Sequence, residues 1–408
     1  MPQTSLSTGR AGGISSLFSC WRNLALLGLL LLSPVAGFSQ SSTTKPASKP
    51  AVKAVAAVRG RTSVQYAKGF TLSYADNYKV LTILSPFEQK TTATRYLLLP
   101  RGTARPAGFA EAQVIETPIR TLVGLSSMHV ALASFLGADN VVVGLGSFKY
   151  VSAPKVRQRI TEGKVLEVGQ GKQMNNELLV AQHPDLVMVT GWPGESLPRF
   201  QTLAAANIPV MINSEWVETT PLGRAEWVKV MAALLDKEDL VNQKFDQVVR
   251  DYKRLAATTR TVAKKPTVVV GMPFKDVWHV PDADSYMAQF LRDAGTTYPW
   301  DKTKAPNGSL ALSFEAVAPV ALAADYWLHT GSTKSKAEVA AQDPRYAAFA
   351  PFKRGLVYNN NRRTNAVGSN DYWESGAVRP DLVLADLIKI LHPELLPTWQ
   401  LRYYQQLK

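Results

Sequence analysis

Short apolar runs alternate with amphipathic segments along most of the chain, from about residue 118 to residue 396. The first part predicts strand, helix and strand over RTLVGLS, SMHVALASFLGA and NVVVGLG, and NNELLVAQHPDLVMVTG adds a short helix followed by a buried strand. The alternation restarts at TVVVGM, and SFEAVAPVALAADYWLHTG repeats the helix-then-strand passage. Strands that alternate with helices through short connections predict parallel sheets covered by helices on both faces. We therefore predict an α/β fold of two doubly wound lobes, lobe one over 118–220 and lobe two over 265–396.

A helical segment over 221–258 separates the two lobes. Pro221 suits the first turn of a helix, and the following apolar residues are spaced by four and three positions, which places Val241, Phe245, Val248, Tyr252 and Leu255 on one face. As one helix the segment would be roughly 55 Å long, which exceeds the width of a lobe. We predict a break near Asp236 and Lys237, and a stiff strut that leaves a ligand cleft between the lobes.

The chain before residue 118 has a different texture. Residues 64–117 include GFTLSYADNYKVLTIL and TRYLLLP, which predict a small β-rich extension with an antiparallel piece over about 66–100. Residues 40–63 are rich in Ser, Thr, Lys, Pro and Ala, which predicts a flexible tether. The extension and tether precede the two-lobed region and are not part of its repeat.

Residues 1–39 have the layout of a secretory signal. Arg10 and Arg22 precede the apolar run LALLGLLLLSPVAG, and no acidic residue occurs before Gln40. We predict a cleavable signal peptide and a periplasmic location, with an uncleaved anchor as the alternative. The only cysteine, Cys20, precedes the apolar run, so cleavage leaves a chain without disulfides or thiolate metal sites.

Charge and motifs exclude several classes of protein. Removing residues 1–39 takes away two arginines and no acid, so the net charge of +14 becomes +12, spread along the chain. This favours an anionic ligand or membrane surface, and export argues against nucleic acid. GLGSFK, GQGKQ and GLSSM each lack part of a nucleotide-binding or nucleophile motif, so we expect neither an enzyme nor a bound cofactor.

Metal binding is the weaker alternative. The five histidines include no HxxxH pair, and two of them, His183 and His392, precede prolines where helices end. Three histidines and a carboxylate brought together by the fold could still hold zinc or manganese. We predict no metal site and keep a bare-metal binding protein as the alternative.

Glu177 and Glu315 stand at the heads of the two repeated helices, with Asn176 and Ser313 as the predicted caps. An acid in the first turn interacts favourably with the helix dipole, by about 0.3–1 kcal/mol, and that explanation is sufficient locally. The alternative is a pair of acids, one on each lobe, that binds arginines of a partner.

From about Ile119 to Leu396 the chain resembles the periplasmic-binding family that delivers ferric siderophores, haem and cobalamin to ABC importers. The resemblance lies in RTLVGLSSMHVALASFLGADNVVVGL, NNELLVAQHPDLVMV, TPLGRAEWVKVMAALL, SFEAVAPVALAADYWL and RPDLVLADLIKILHPEL. It implies two α/β lobes joined by a strut, a metal-chelate or corrinoid ligand, and an ABC permease with its ATPase as partners. It also implies that Glu177 and Glu315 dock onto the permease. The extension before residue 118 departs from the family pattern.

Candidate ligand residues are aromatic and basic side chains in irregular stretches that would face the cleft. Aromatic faces suit a catecholate, porphyrin or corrin ring, and arginines suit an anionic chelate. The candidates are Phe148, Lys149, Tyr150, Trp192, Phe274, Trp278, Trp300, Arg362, Arg363, Tyr372 and Trp373. Trp192, between Gly191 and Pro193 after a predicted strand, is the strongest, and many of the others could instead belong to the core. A non-transport enzyme or a sensor on the same fold remains a further alternative.

Overall fold

The computed structural model describes residues 60–87, 92–110, 112–193, 197–306 and 308–408. The predicted signal peptide and most of the predicted tether lie outside these residues. None of the described helices is long and apolar enough to cross a bilayer.

The N-terminal extension is a mixed sheet that packs on lobe one. Its strands are β1 (Phe70–Tyr74), β2 (Lys79–Ile83), β3 (Thr94–Pro100) and β4 (Gln113–Thr117), in the order β1-β2-β3-β4. The first two pairs are antiparallel, as predicted, and β3 pairs with β4 in parallel. The hydroxyl of Tyr96 accepts a hydrogen bond from the backbone N–H of Ile212 (3.0 Å), and the buried Lys79 forms ion pairs with Asp236 and Glu238. The extension therefore shares the core of lobe one.

Lobe one is built on a five-stranded parallel sheet of order β7-β6-β5-β8-β9. Its strands are β5 (Leu122–Gly124), β6 (Val142–Leu145), β7 (Leu166–Glu167), β8 (Leu186–Thr190) and β9 (Val210–Asn213). The connecting helices are α1 (Ser127–Phe135), α2 (Pro154–Thr161), α3 (Asn176–Gln182) and α4 (Gln201–Ala205). The chain runs from β5 to β6 on one side and adds β8 on the other, so the strand order reverses at β5. Such a reversal opens a crevice at the carboxyl ends of the strands.

The strut consists of three helices, α5 (Pro221–Ala225), α6 (Val228–Leu235) and α7 (Glu238–Thr258). The predicted break is confirmed, because Asp236 adopts a left-handed conformation (φ 52°) after α6. The longest of them, α7, of 21 residues, joins the two cores. The stripe on α7 enters the lobe-one core through Val241 and Phe245 and the lobe-two core through Tyr252 and Leu255.

Lobe two carries a four-stranded sheet of order β10-β14-β15-β16 and a separate antiparallel sheet, β11-β12-β13. The strands are β10 (Val268–Val270), β11 (Pro273–Phe274), β12 (Val277–Pro281), β13 (Ser309–Leu312), β14 (Tyr326–Leu328), β15 (Val357–Asn359) and β16 (Gln405–Gln406). The helices are α8 (Tyr286–Asp293), α9 (Phe314–Ala321), α10 (Lys336–Gln342), α11 (Ala350–Arg354), α12 (Ser375–Val378) and α13 (Pro380–Leu391).

Two features of lobe two differ from the sequence prediction. The hairpin of β11 and β12 turns at Lys275 and Asp276, both with positive φ. Aspartate is common at such positions but lysine is not, so the turn lacks the glycine or asparagine that would mark it in the sequence. The chain after residue 396 returns to the sheet, where β16 pairs antiparallel with β15.

Candidate functional site

Two adjoining cavities open at the carboxyl ends of the parallel strands of lobe one, with volumes of about 200 and 420 Å³. They share the lining residues Leu125, Gln170, Thr190 and Trp192. We call them together the strand-end cleft. Ligands of open α/β sheets bind in this position, outside the carboxyl ends of strands where the strand order reverses.

The polar side of the strand-end cleft comes from the turns that follow β5 and β6. Ser126 caps α1 by accepting a hydrogen bond from the N–H of Met128 (3.2 Å), and Gln170 donates to the carbonyl of Leu125 (3.1 Å). Gly146 leaves room for this glutamine, because a Cβ on Gly146 would lie 2.6 Å from the Gln170 side chain. Hydroxyl, amide and backbone groups can therefore orient a ligand here.

The aromatic side of the cleft is Trp192, which is 55% exposed and stacks on Trp216 with ring centroids 5.8 Å apart. The indole N–H of Trp216 donates to the carbonyl of Gly191 (3.0 Å). A Cβ on Gly191 would lie 1.6 Å from the carbonyl oxygen of Pro86, so only glycine fits this turn. Trp192 is thus presented to solvent from a fixed turn. Trp216, which supports Trp192 from outside the cavity linings, is a residue that the sequence reasoning missed.

The structure brings two of the predicted ligand residues together, because Tyr150 lines the same cavity as Trp192 and is 50% exposed. Lys149 is exposed next to it and lies 5.9 Å from the centre of the Tyr150 ring. Phe148 is half-buried against the lobe-one core, and its N–H donates to Glu167 (2.7 Å). The turn 148–150 therefore presents Tyr150 and Lys149 and turns Phe148 inward.

Trp278 and Tyr372 are corrections to the predicted ligand set, because both side chains are buried in lobe two. Trp278 is fully buried on β12, packs against Trp327 and Phe349, and donates its indole N–H to the carbonyl of Val270 (2.9 Å). Tyr372 is 2% exposed. Neither ring offers a ligand a free face, because both take part in aromatic packing that the sequence does not reveal.

The other lobe-two candidates lie outside the strand-end cleft. Phe274 is 70% exposed at the β11–β12 turn, and Trp373 is 51% exposed beside the ring of Tyr372. Trp300 is half-buried against Tyr298, with ring centroids 5.6 Å apart. The exposed basic candidates are Arg362 and Arg363.

A group of hydrogen bonds, which we call the interlobe clasp, ties the turn after β6 to the segment before α12. The carboxylate of Glu374 accepts from the N–H groups of Ser152 and Ala153 (both 2.7 Å), and the hydroxyls of Ser152 and Ser369 are 2.7 Å apart. The side chain of Asn365 donates to the carbonyl of Val151 (3.0 Å).

Burial dominates the titration of the clasp glutamate. It raises the pKa of Glu374 to about 8, opposed by the two backbone donors of Ser152 and Ala153 and assisted by the negative charges of Asp371 and Asp139. Glu374 was missed from sequence, because no local pattern marks a carboxylate that binds backbone of the other lobe.

The two predicted docking glutamates occupy the same position in their helices. The cap of α3 is Asn175, whose side chain accepts from the N–H of Leu178 (2.9 Å), and not the predicted Asn176. Ser313 caps α9 as predicted. Glu177 and Glu315 are therefore each the second residue of the helix, and both are exposed. The N–H of Glu315 and the Ser313 side chain lower the pKa of Glu315.

Among the described residues, no group of three or more His, Cys, Asp or Glu side chains is placed to hold a metal ion. His129 is fully buried in α1, and burial lowers its pKa to about 3. His329 follows β14 and is hydrogen-bonded to the hydroxyl of Tyr404 (2.5 Å).

Two lobes joined by a helical strut, with cavities at the carboxyl ends of parallel strands, are the architecture of bilobed solute-binding proteins. The chain belongs to the periplasmic binding protein family, whose sequence model matches residues 125–361, more than half of the chain. Members of this family are periplasmic or extracellular and work with an ABC permease and its ATPase.

Two uncharacterized lipoproteins of Methanocaldococcus jannaschii are similar over most of their length. One is 26% identical, covering 81% of this chain and 82% of the lipoprotein, and the other is 25% identical, covering 95% and 100%. The match extends beyond the family region, and in the second case it covers nearly all of this chain.

Solved structures share the fold at low sequence identity. A possible iron-binding periplasmic solute-binding protein of Staphylococcus epidermidis has a TM-score of 0.53 at 16% identity, covering 68% of this chain and all of that one. The molybdate periplasmic binding protein of Haemophilus influenzae has a TM-score of 0.51 at 19% identity, and the match covers 70% of this chain and 90% of that one. The periplasmic haem-binding protein of Vibrio cholerae has a TM-score of 0.50 at 17% identity, and the match covers 65% of this chain and 98% of that one. These similarities establish the fold of this chain.

Proposed function

We propose that this chain is the solute-binding component of an ABC importer for a metal chelate or corrinoid: a ferric siderophore, haem or a cobalamin-like compound. The observation that carries the proposal is the exposed aromatic pair of Trp192 and Tyr150 on one cavity of the strand-end cleft. Conjugated rings stack on such faces. The fold is shared with proteins named for haem and for molybdate, so the cargo is inferred from the aromatic surface and not from the fold.

Delivery would use the two exposed glutamates. Glu177 and Glu315 stand at the second position of one helix in each lobe, which suits a pair of arginine contacts on a permease. Both acids lie outside the linings of the strand-end cleft. Cargo binding and docking are therefore separable.

We place the protein in the periplasm after cleavage of residues 1–39. The relatives of Methanocaldococcus jannaschii are named lipoproteins, but the one cysteine of this chain, Cys20, precedes the apolar run and does not follow it. We therefore interpret residues 1–39 as a cleavable signal peptide.

Cargo binding is tested by titrating the purified protein with haem, a ferric catecholate siderophore, cyanocobalamin, zinc chloride and manganese chloride, followed by calorimetry and tryptophan quenching. We expect one of the first three to bind with a Kd below about 1 μM, which corresponds to roughly 8 kcal/mol. Trp192→Ala should weaken that binding at least tenfold, and Trp192→Phe should retain most of it. Tight binding of zinc or manganese alone would instead support the bare-metal alternative.

Docking is tested by uptake of the same cargo in cells that contain the cognate permease. The variant Glu177→Ala/Glu315→Ala should keep its cargo affinity and lose most of the uptake. Asp246→Ala removes an exposed acid from α7 and serves as the matched control. Normal uptake by the double variant would show that the two glutamates act only locally, through their interaction with the helix dipole.

A further inference from the structure

A second cavity, of about 630 Å³, lies between the lobes where they meet the strut, and we call it the strut-side cavity. Its wall combines α1 and the start of α2 from lobe one, the middle of α7, and residues around α12 from lobe two. It shares no lining residue with the strand-end cleft. Its volume lies within the usual range for small-molecule sites, about 300–1,000 Å³.

The acidic side chains of the strut-side cavity already have partners. Asp139 accepts from the hydroxyl of Ser134 (2.6 Å), and Asp371 is paired with the guanidinium of Arg363 (2.5 Å). Glu374 is held by the two backbone N–H groups of the interlobe clasp. The carboxylates of these three residues therefore already have hydrogen-bond or ion-pair partners within the protein, which disfavours a bound cation.

The basic side chains exceed the acidic ones. Five basic residues line the cavity: Lys155, Lys244, Arg363, Arg379 and Arg402. Arg363 and Arg379 have carboxylate partners. Within the described part of the chain, Lys155, Lys244 and Arg402 form no ion pair with a carboxylate; Lys244 donates to the carbonyl of Phe135 (2.6 Å) and Arg402 lies over the ring of Tyr403. The uncompensated charge is positive and comes from both lobes and the strut.

The apolar part of the lining determines what kind of anion fits. Ala131, Phe135, Val248 and Val378 contribute aliphatic and aromatic surface between the cationic groups. An organic anion with a carbon framework and two or more negative charges matches both parts, because its charges meet separate cations while its framework covers the apolar wall.

The segment that carries the interlobe clasp contributes residues to both the strut-side cavity and the strand-end cleft. Ala153 and Glu374 belong to the lining of the strut-side cavity, while Tyr150 and Val151, three and two residues before Ala153 in the chain, line the strand-end cleft. A ligand held by Lys155 of lobe one and Arg402 of lobe two would stabilise the present arrangement of the lobes. Ligands that favour one arrangement alter each other's affinity reciprocally.

We propose that the strut-side cavity is an effector site for a small multivalent organic anion, and that its occupancy changes the affinity of the strand-end cleft for cargo. The binding of the anion is independent of the proposed function, whereas the effect on cargo affinity rests on it.

The first experiment titrates the purified protein with citrate, pyrophosphate and acetate at constant ionic strength, using calorimetry and thermal unfolding. Citrate should bind one to one with a Kd below about 1 mM and raise the unfolding temperature, whereas pyrophosphate should bind more weakly and acetate not measurably. Lys244→Ala and Arg402→Ala should each weaken citrate binding at least tenfold.

Lys237→Ala is the matched control, because Lys237 also donates to a carbonyl at the end of α1, that of Leu136 (3.2 Å), but does not line the cavity. If citrate does not bind, the proposed anion site is wrong. The site is also wrong if Lys237→Ala weakens citrate binding as much as Lys244→Ala does. Equal binding of citrate and pyrophosphate overturns the requirement for a carbon framework.

The second experiment measures cargo affinity with and without saturating citrate. We expect a change of at least threefold in the wild type and none in Lys244→Ala. If citrate binds but cargo affinity does not change, the proposed coupling is wrong and only the anion site is supported. If no cargo binds at all, the proposed function fails, while the citrate titration still decides whether the site exists.

Discussion

Lobe one and lobe two repeat one passage, in which a glutamate-headed helix leads through an aspartate into a parallel strand. In lobe one, Asp185 accepts hydrogen bonds from the N–H groups of Arg120 and Thr121 at the start of β5 and from Arg101. In lobe two, Asp325 accepts from the N–H of Thr267, just before β10. The aspartate in each lobe therefore fastens the strand entering the sheet, although the spacing from the glutamate differs by two residues.

The lobes differ in what surrounds this shared passage. The carboxyl ends of β5, β6 and β8 border a cleft with an exposed Trp192, whereas His329 at the end of β14 packs beside Tyr372 and Tyr404. Lobe two also buries Trp278 on a hairpin that has no counterpart among the described residues of lobe one. The same local pattern can thus support a ligand surface in one lobe and aromatic packing in the other.

The largest expected effect separates the two tryptophans. Trp278→Ala should lower the free energy of unfolding by about 3–5 kcal/mol, because it leaves a large cavity among packed rings. Trp192→Ala should change it by less than about 1 kcal/mol, since the side chain is half exposed. Denaturant unfolding of both variants measures the difference. If the Trp278→Ala protein is stable but binds cargo poorly, Trp278 is a ligand residue and its assignment to the core is wrong.

The next effect compares the two aspartates, whose side chains are similarly exposed, 23% and 26%. Asp185→Ala should cost about 2 kcal/mol of unfolding free energy and Asp325→Ala about 1 kcal/mol, because Asp185 has more donors. Burial opposes ionisation of Asp185, but the bonds from Arg101, Arg120 and Thr121 outweigh it and lower the pKa. Its contribution should therefore be complete at neutral pH, begin to fall as the pH drops below about 4, and be lost as the pH passes through the lowered pKa.

Equal losses in the two aspartate variants would show that a single backbone bond to the incoming strand accounts for the effect in both lobes. Urea unfolding at pH 7 and at pH 3.5 provides both comparisons.

The last comparison concerns the buried histidines, whose pKa values burial lowers to about 3 for His129 and about 4 for His329. Both are neutral in the folded protein, so the unfolded chain takes up the protons, and stability should fall as the pH decreases from about 6.5 towards 4. Each histidine can contribute up to about 1.4 kcal/mol per pH unit. Thermal unfolding between pH 4 and 8 should show that stability depends less steeply on pH in each variant, His129→Leu and His329→Asn, than in the wild type.

At pH 7 the two histidine variants should differ. Neither ring nitrogen of His129 has a hydrogen-bond partner among the described residues, so His129→Leu should be neutral or stabilising. His329→Asn should lose about 1 kcal/mol with the bond to Tyr404, while asparagine tolerates the positive φ of 60°. A destabilised His129→Leu protein would reveal a partner for that ring.

The sequence by itself determined the alternation of strands and helices, the break at Asp236 and the placement of Glu177 and Glu315 in the first turns of two helices. Each follows from periodicity or from a cap within a few residues, so the chain carries the signal locally. The resemblance to periplasmic binding proteins added the family, which the match over 125–361 establishes.

Only the tertiary structure decided which aromatic residues are exposed and which contacts join the lobes. Trp192 and Trp278 both lie near turn-forming residues in the sequence. Trp278 is a core residue because distant rings such as Trp327 pack against it, whereas Trp192 is exposed. Glu374 binds backbone groups more than two hundred residues away. Burial and long-range hydrogen bonds depend on what the folded chain places alongside a residue, and that information is absent from its sequence neighbours.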